Sequence, residues 1–441
     1  MKHAANKSAA ALSKCKTSSR PRILLLAYSI SPTRGSEYSV GWNHVKHLSE
    51  FCDLTVLYGL AGPHMGDLEE IEDYLRINGE MKNVNFVPIR PNGLARFLNA
   101  PNRAGFLVYS FYLAYRIWHL QAAQVARARI NSDRIDLIHY LCPIGYREPS
   151  FLWKLDKPFI WGPIGGLTPT RHLKGAPRPW KALAKVKLKN LVNRINLAVA
   201  HRVSRALASA DTVIAATSEN QKILQERFGV TPILMSENAI SEKSIASKAL
   251  HICVKKEPVR LIWIGSLDWR KSPDLLLDAM NAVGISDWTL DIVGTGALRS
   301  HVEAQANELG LVRQVTFHGN IPRTKVQELL HRADLHLITS MGEGTPTTIW
   351  EAMAAGVPTL TLDHCGMHDV VCGNCGVRIA LTDYVGTRDR IANTIVGLIN
   401  DRSALLRLTE GVVTCRSQHL WSKRSQDWLE IYEAAIARAQ G

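Results

Sequence analysis

The chain has 441 residues, 46% of them hydrophobic, and a formal net charge of +14. That length exceeds one ordinary core and implies two domains, while no run of 18 consecutive apolar residues offers a membrane-spanning helix. Eight scattered cysteines show no disulfide framework, which fits a reducing cytoplasm, and the positive excess asks for an anionic partner: nucleic acid, a membrane surface or a phosphorylated substrate.

The first 22 residues hold six Lys or Arg and no acid, with no apolar core behind them. Residues 1–21 therefore read as a basic disordered tail and not as a secretion signal. Arg22 to Tyr28 is a continuous apolar run, hence a buried strand. Gly35 then gives a loop, Ser36 a cap, and a helix runs to about Glu50. A strand, a glycine loop and a helix start form an arrangement ready for an anion. Strands are further expected at Leu54–Tyr58, Val84–Ile89, Ile135–Tyr140, Phe159–Trp161, Thr212–Ala216 and Ile233–Met235. Helical patterns alternate with them, so the sheet is expected to be parallel. His139 ends a strand, at the sheet edge where ligands bind; a hydrogen-bonded structural histidine is the other reading.

Two segments interrupt the alternation. Residues 103–130 are rich in aromatics, with Phe106, Tyr109, Phe111, Tyr112, Tyr115 and Trp118, and suit either a core helix or a membrane-dipping surface. Residues 157–210 contain eleven Lys or Arg and no acid. With Trp180, Leu183, Leu188 and Leu191 interleaved, that stretch suits an anionic bilayer, and Lys181, Lys185, Lys187 and Lys189 are the candidate contacts.

The second half opens on the strand Val259–Ile264 and the loop from Gly265 to Ser272, and Pro273 starts a helix. Arg270 and Lys271 lie between strand and helix, are expected to be exposed, and could clamp a diphosphate. Leu290–Val293 leads to Gly294, and Val315–Phe317 to His318. Leu335–Ile338 leads into SMGEGTPTTIWEAMAAGVPTL, residues 340–360. Glu343 falls in its loop and Glu351 about two turns along the helix that follows. Amides at that helix start face an anion, and a carboxylate accepts hydrogen bonds from a vicinal diol. A nucleotide sugar needs both devices. Cys372-x-x-Cys375, with His364, Cys365 and His368 upstream, lacks a second such pair, so no metal is expected. No Asp-x-Asp occurs.

Glu343, seven residues and Glu351 inside EGTPTTIWEAMAAGVP resemble the paired-glutamate signature of retaining GT-B glycosyltransferases of group 1, also called family 4. The resemblance covers nearly all of residues 22–440 and is thinnest at 90–210. It implies an α/β fold of two doubly wound Rossmann-like domains facing a cleft. Residues 22–245 would form the acceptor-side domain and 255–415 the nucleotide-sugar domain, with a helix in 416–441 crossing back to the first. The implied activity is retaining transfer of a sugar from a nucleotide-sugar donor, with neither metal nor cofactor. Glu343, Arg270 and Lys271 would be catalytic, Glu343 on the transferred sugar and the cations on the departing diphosphate. Glu351 would hold the ribose, and Gly35, Gly265, Gly294, His318, Thr345, Thr347 and Thr348 would complete the donor site. Glu37, Trp42 and His139 are acceptor-side candidates, because Gly35-Ser36-Glu37 and Gly41-Trp42 match members that build bacterial surface polysaccharides. The implied acceptor is a lipid-linked saccharide at the inner membrane face. The chain departs from the family at Trp161-Gly162-Pro163, where a histidine is common, and at Ser266, where many members carry Arg. A non-catalytic sugar-nucleotide-binding protein of this fold, or a basic nucleic-acid-binding protein, are the alternatives.

Overall fold

The computed structural model describes residues 20–35, 37–60, 69–107, 110–245 and 257–441. The expected tail up to residue 19, the cap at Ser36 and Tyr109 lie outside them. Two all-parallel sheets dominate. The first contains β1 (Arg22–Ala27), β2 (Asp53–Gly59), β3 (Val84–Ile89), β4 (Leu137–Cys142), β5 (Phe159–Ile164), β6 (Thr212–Ala215) and β7 (Ile233–Leu234), in the order β3-β2-β1-β4-β5-β6-β7. The second contains β8 (Val259–Ile264), β9 (Trp288–Val293), β10 (Val315–Gly319), β11 (Leu335–Ile338), β12 (Thr359–Leu362) and β13 (Gly376–Ile379), in the order β10-β9-β8-β11-β12-β13. Continuous apolar runs form the central strands because helices cover both faces, so neither face of a strand is left for water. β13 was not expected from the sequence: only its pairing with β12, from Thr359–Gly376 to Leu362–Ile379, makes four residues a strand.

Both sheets reverse strand order beside their first strand, between β1 and β4 and between β8 and β11. Loops diverge at such a point and leave a crevice at the carboxyl ends of the strands. One ion pair marks the opposite end of each pair of strands. Arg22 donates to Asp136 through its backbone N–H at 2.9 Å and its guanidinium at 3.1 and 3.2 Å. Arg260 does the same to Asp334 at 2.9, 3.1 and 3.2 Å.

Two segments cross between the domains. The helix Trp421–Gln440 leaves the second domain and places Trp428, Tyr432 and Ala435 in the core of the first. The strap at 168–179 travels the other way. Leu173, 5% exposed, joins the second domain's core. Arg171 N–H donates to the Met341 carbonyl at 2.9 Å, and Tyr384 N–H donates to the Lys174 carbonyl at 2.9 Å. Arg178 forms an ion pair with Asp274 at 3.1 Å with both side chains at most 5% exposed. Its guanidinium also donates to the Trp269 carbonyl and Ser272 Oγ. Arg171 and Arg202, from the same acid-free stretch, pair with Glu219 and Glu148. The acids that stretch lacks thus come from elsewhere in the fold, and these three cations are structural ties.

Candidate active site

The loop after β8 is reached by the loop after β11, whose Met341 N–H donates to the Arg270 carbonyl at 2.7 Å. Asp268 Oδ1 accepts from the backbone N–H groups of Arg270 and Lys271, each at 2.9 Å, and so shapes the first loop. Thr339 Oγ1 pins it from below, donating to the carbonyls of Lys271 and Ser272. Out of the second loop, Glu343 places one carboxylate oxygen 2.5 Å from Arg270 Nη1 and 2.6 Å from Lys271 Nζ. The three residues expected to act together are therefore one cluster. Arg270 is half-exposed as expected. Lys271 is not: its side chain is only 14% exposed, because the methylenes pack over Gly265 while the amine reaches the carboxylate.

Arg270 and Glu343 of this cluster line one wall of a cavity of about 640 Å³ between the domains, within the range of small-molecule sites. The facing wall includes Glu37, Arg147 and Lys189. Glu37 accepts from Ile144 N–H at 2.8 Å, and burial pushes its carboxyl above the usual range against that bond. Lys189 was expected on a membrane face. Its amine instead donates to Thr170 Oγ1 at 3.1 Å at the cavity wall. Burial, with Arg270 and Arg147 nearby, lowers its pKa.

A second crevice of about 360 Å³ lies between the domains, lined by Gly35 and Asn238 on one side and Thr347, Glu351 and Arg323 on the other. Glu351 pairs with Arg323 at 3.0 Å; burial raises its carboxyl pKa, partly offset by that cation. Thr347 and Thr348 begin the helix Thr347–Ala354, where N–H groups lack intrahelical acceptors. Thr345 N–H is already engaged, donating to Glu237 Oε1 at 2.8 Å. Glu237 is a feature the sequence reading missed. It follows β7, and its second oxygen is buried without a hydrogen-bond partner. Burial pushes its carboxyl up to about 7 despite the Thr345 bond. Gly344 leaves it room, since a Cβ there would lie 2.6 Å from the same carboxylate.

The remaining expected site residues divide. His318 Nε2 sits 2.6 Å from Asp291 Oδ1 at the end of β10. Gly294, at φ +128°, has no room for a Cβ against the Gly265 backbone, so this glycine pair lets the loops after β8 and β9 close on each other. Gly35 has open space around its Cα and faces the second crevice. Trp42 is 7% exposed, stacked on Phe86 and edge-on to Tyr74, so the expected acceptor contact is mainly core, with only its rim on the second crevice. His139 is a correction. It is fully buried, with Nδ1 2.7 Å from Tyr432 Oη and Nε2 2.7 Å from the Gly162 carbonyl. Burial lowers its pKa to about 4. Its pairing ties the C-terminal helix to the first sheet, away from the cleft.

Two parallel doubly wound domains facing a cleft define the GT-B class of fold. Residues 252–410 match the family model of glycosyl transferases group 1, so the group 1 resemblance holds over that segment, and the paired glutamates fall inside it. Lipopolysaccharide 1,6-galactosyltransferase of Salmonella typhimurium is 25% identical over 199 residues, 43% of this chain and 54% of that protein. Lipopolysaccharide glucosyltransferase WaaG of Escherichia coli is 29% identical over 185 residues, 40% of this chain and 49% of that protein. The chain spans about half the length of these curated relatives. Among solved structures, Anabaena HepE in complex with UDP and glucose shares the fold with a TM-score of 0.60 at 18% identity, covering 94% of this chain and 100% of that one.

Proposed function

We propose that this protein transfers a sugar, with retention at the anomeric carbon, from a nucleotide-sugar donor to an acceptor hydroxyl in the interdomain cleft. The observation that carries the reading is the cluster of Glu343, Arg270 and Lys271 where the loops after β8 and β11 meet. Two cations share one carboxylate oxygen, and Asp268 lies 3.9 Å from Arg270, so both cations are held in place for a diphosphate that can displace Glu343. As the glycosidic bond breaks, negative charge grows on that leaving group, and preplaced cations stabilise it. The proposed mechanism needs neither metal nor covalent intermediate. Glu343 turns to the transferred sugar once the diphosphate takes over the cations. Glu351, partly buried beside the amides of Thr347 and Thr348, accepts from the ribose hydroxyls.

Glu37 and Lys189 mark the acceptor side of the larger cavity. The acceptor we propose is a lipid-linked saccharide of surface-polysaccharide synthesis, met at the inner face of a membrane. Relatives that act on lipopolysaccharide support this, as does the helix Trp180–Ala198. Trp180, Leu188, Leu191 and Ile195 on it are 52–73% exposed. At 3.6 residues per turn they fall within an arc of about 80°, beside Lys181 and Lys187. Among the described residues no helix is long and apolar enough to cross a membrane, so attachment would be peripheral.

The test is turnover of a panel of UDP-, GDP- and ADP-sugars with product anomers read by NMR, repeated with Arg270→Ala. Transfer with retention is expected, and the variant is expected to lose about 10²–10³ in rate. Binding without turnover of any donor would leave a sugar-nucleotide-binding protein instead.

A further inference from the structure

Three cysteines converge outside the cleft. Cys372 and Cys375 lie between the helix Cys365–Val370 and β13, and Cys415 lies near the end of the helix Arg402–Arg416. Cys372 Sγ is 3.5 Å from Cys375 Sγ and 3.3 Å from Cys415 Sγ, and all three sulfurs lie within 4.8 Å of one another. Cys375 is buried and the other two half-buried. The approach is built from both sides. At Gly411 on the facing helix a Cβ would run into the Asn374 backbone, so only glycine lets the 372–375 loop close onto Cys415. Cys372 Sγ donates to Cys375 Sγ, and between Cys372 and Cys415 either thiol can be the donor. The thiols of Cys375 and Cys415 are pushed up, chiefly by burial.

We propose that Cys372, Cys375 and Cys415 form a binding site for one thiophilic divalent cation of the zinc type. Zinc–sulfur bonds of ~2.3 Å in a tetrahedron set sulfurs ~3.8 Å apart, close to the spacing seen around Cys372. Three protein ligands leave the fourth position to water. A Cys-x-x-Cys redox pair would be complete with two sulfurs and would give no reason for a third at equal distance. Entry of the cation forms three metal–sulfur bonds and releases to solvent the protons that the three thiols carry, so affinity rises with pH. The site would fasten the 372–375 loop to the helix Arg402–Arg416. Cys375 shares an apolar cluster with Trp350 and Met353 of the helix that carries Glu351, so the fastening supports that helix from behind.

The test uses the reduced full chain without oxygen. Titration with Co²⁺ is expected to give a sulfur-to-cobalt charge-transfer band that saturates at one equivalent and is bleached by one equivalent of Zn²⁺. Zn²⁺ is expected to slow iodoacetamide labelling of Cys372 more than 10-fold, read by peptide mass spectrometry. Cys415→Ser is expected to lose the band while keeping the circular dichroism of the wild type. Should that variant fail to fold, wild-type labelling alone decides. No band together with no protection by Zn²⁺ overturns the proposal, as does a band that survives in Cys415→Ser. A disulfide formed with glutathione disulfide by a chain that takes up no metal when reduced assigns the cluster to redox chemistry and overturns it equally.

Discussion

Glu343 holds two cations and Glu351 one, and the two carboxylates face different cavities, so their loss separates in the kinetics. Glu351→Ala is expected to raise the donor KM with a small change in kcat, since ribose contacts are alike in ground and transition states. Glu343→Ala is expected to lower kcat more, with a smaller change in KM. Steady-state kinetics with the active donor checks both; the reverse pattern would exchange the two roles. Glu237 gives a test by pH. Its carboxyl titrates near 4.5 in the unfolded chain and about 7 in the folded one. Below 4.5 both states are protonated and the fold bears no penalty. Between 4.5 and 7 the unfolded chain ionises first, so folded stability falls as pH rises, and above 7 the whole penalty is present. Glu237→Gln keeps an acceptor for Thr345 N–H. It is expected to melt above the wild type at pH 8 and level with it near pH 4, measured by scanning calorimetry. Equal midpoints at pH 8 would refute the buried-carboxylate account. Glu343, Arg270, Lys271 and Glu351 were legible because each sits in a strand–loop–helix pattern whose geometry follows from local sequence. Glu237 was not, because its partner amide lies 108 residues away. His139 misled for a related reason: a strand end lies near a cleft or under a crossing helix, and only Tyr432, 293 residues on, decides.

The helix Trp180–Ala198 shows what a charge run hides. Its lysines look alike in sequence, yet Lys181 and Lys187 flank the exposed apolar arc whereas Lys189 points to the cleft. Lys or Arg near an anionic bilayer contributes about 1 kcal/mol each. Lys181, Lys185 and Lys187 changed together to Gln are expected to weaken sedimentation with phosphatidylserine vesicles at low salt. Lys189→Gln is expected to leave sedimentation unchanged and to lower transfer. Sedimentation that responds only to Lys189 would reverse the orientation of this helix. The aromatic segment before it divides in the same way. Tyr115 and Trp118 are core, while Phe106 at 71% and Leu113 at 55% are exposed. Strands with long apolar runs were legible, because burial on both faces writes itself into composition. β13 was not, since Gly376–Ile379 carries Arg378 and has too few residues for a pattern to show.

Across the molecule the repeated ion pairs at Arg22 and Arg260 express one architecture used twice, written in sequence as an arginine in the first two residues of each first strand and an aspartate ahead of each switch-point partner. The strap was not legible, because its cations read as surface until their acids are placed. Arg178→Ala would leave Asp274 buried without a counter-charge, at a cost of about 3–5 kcal/mol. Chemical denaturation of that variant is expected to show the second domain losing stability although the mutated residue belongs to the first half of the chain. An unchanged midpoint would mean that the strap only rests on the surface.

Donor specificity in an enzyme of two lobes invites recombination: keep one half, graft the nucleotide-binding half of a relative. Here a cut between residues 245 and 257 would produce two incomplete halves. The first would lack Trp428 and Tyr432, which fill its core from the last helix. The second would lack Leu173 and the Arg178 counter-charge for Asp274. A hybrid that respects this chain must keep the last helix with the first lobe and match the strap to the second. Under the proposed function, donor choice would travel with the second lobe together with a short piece of its neighbour.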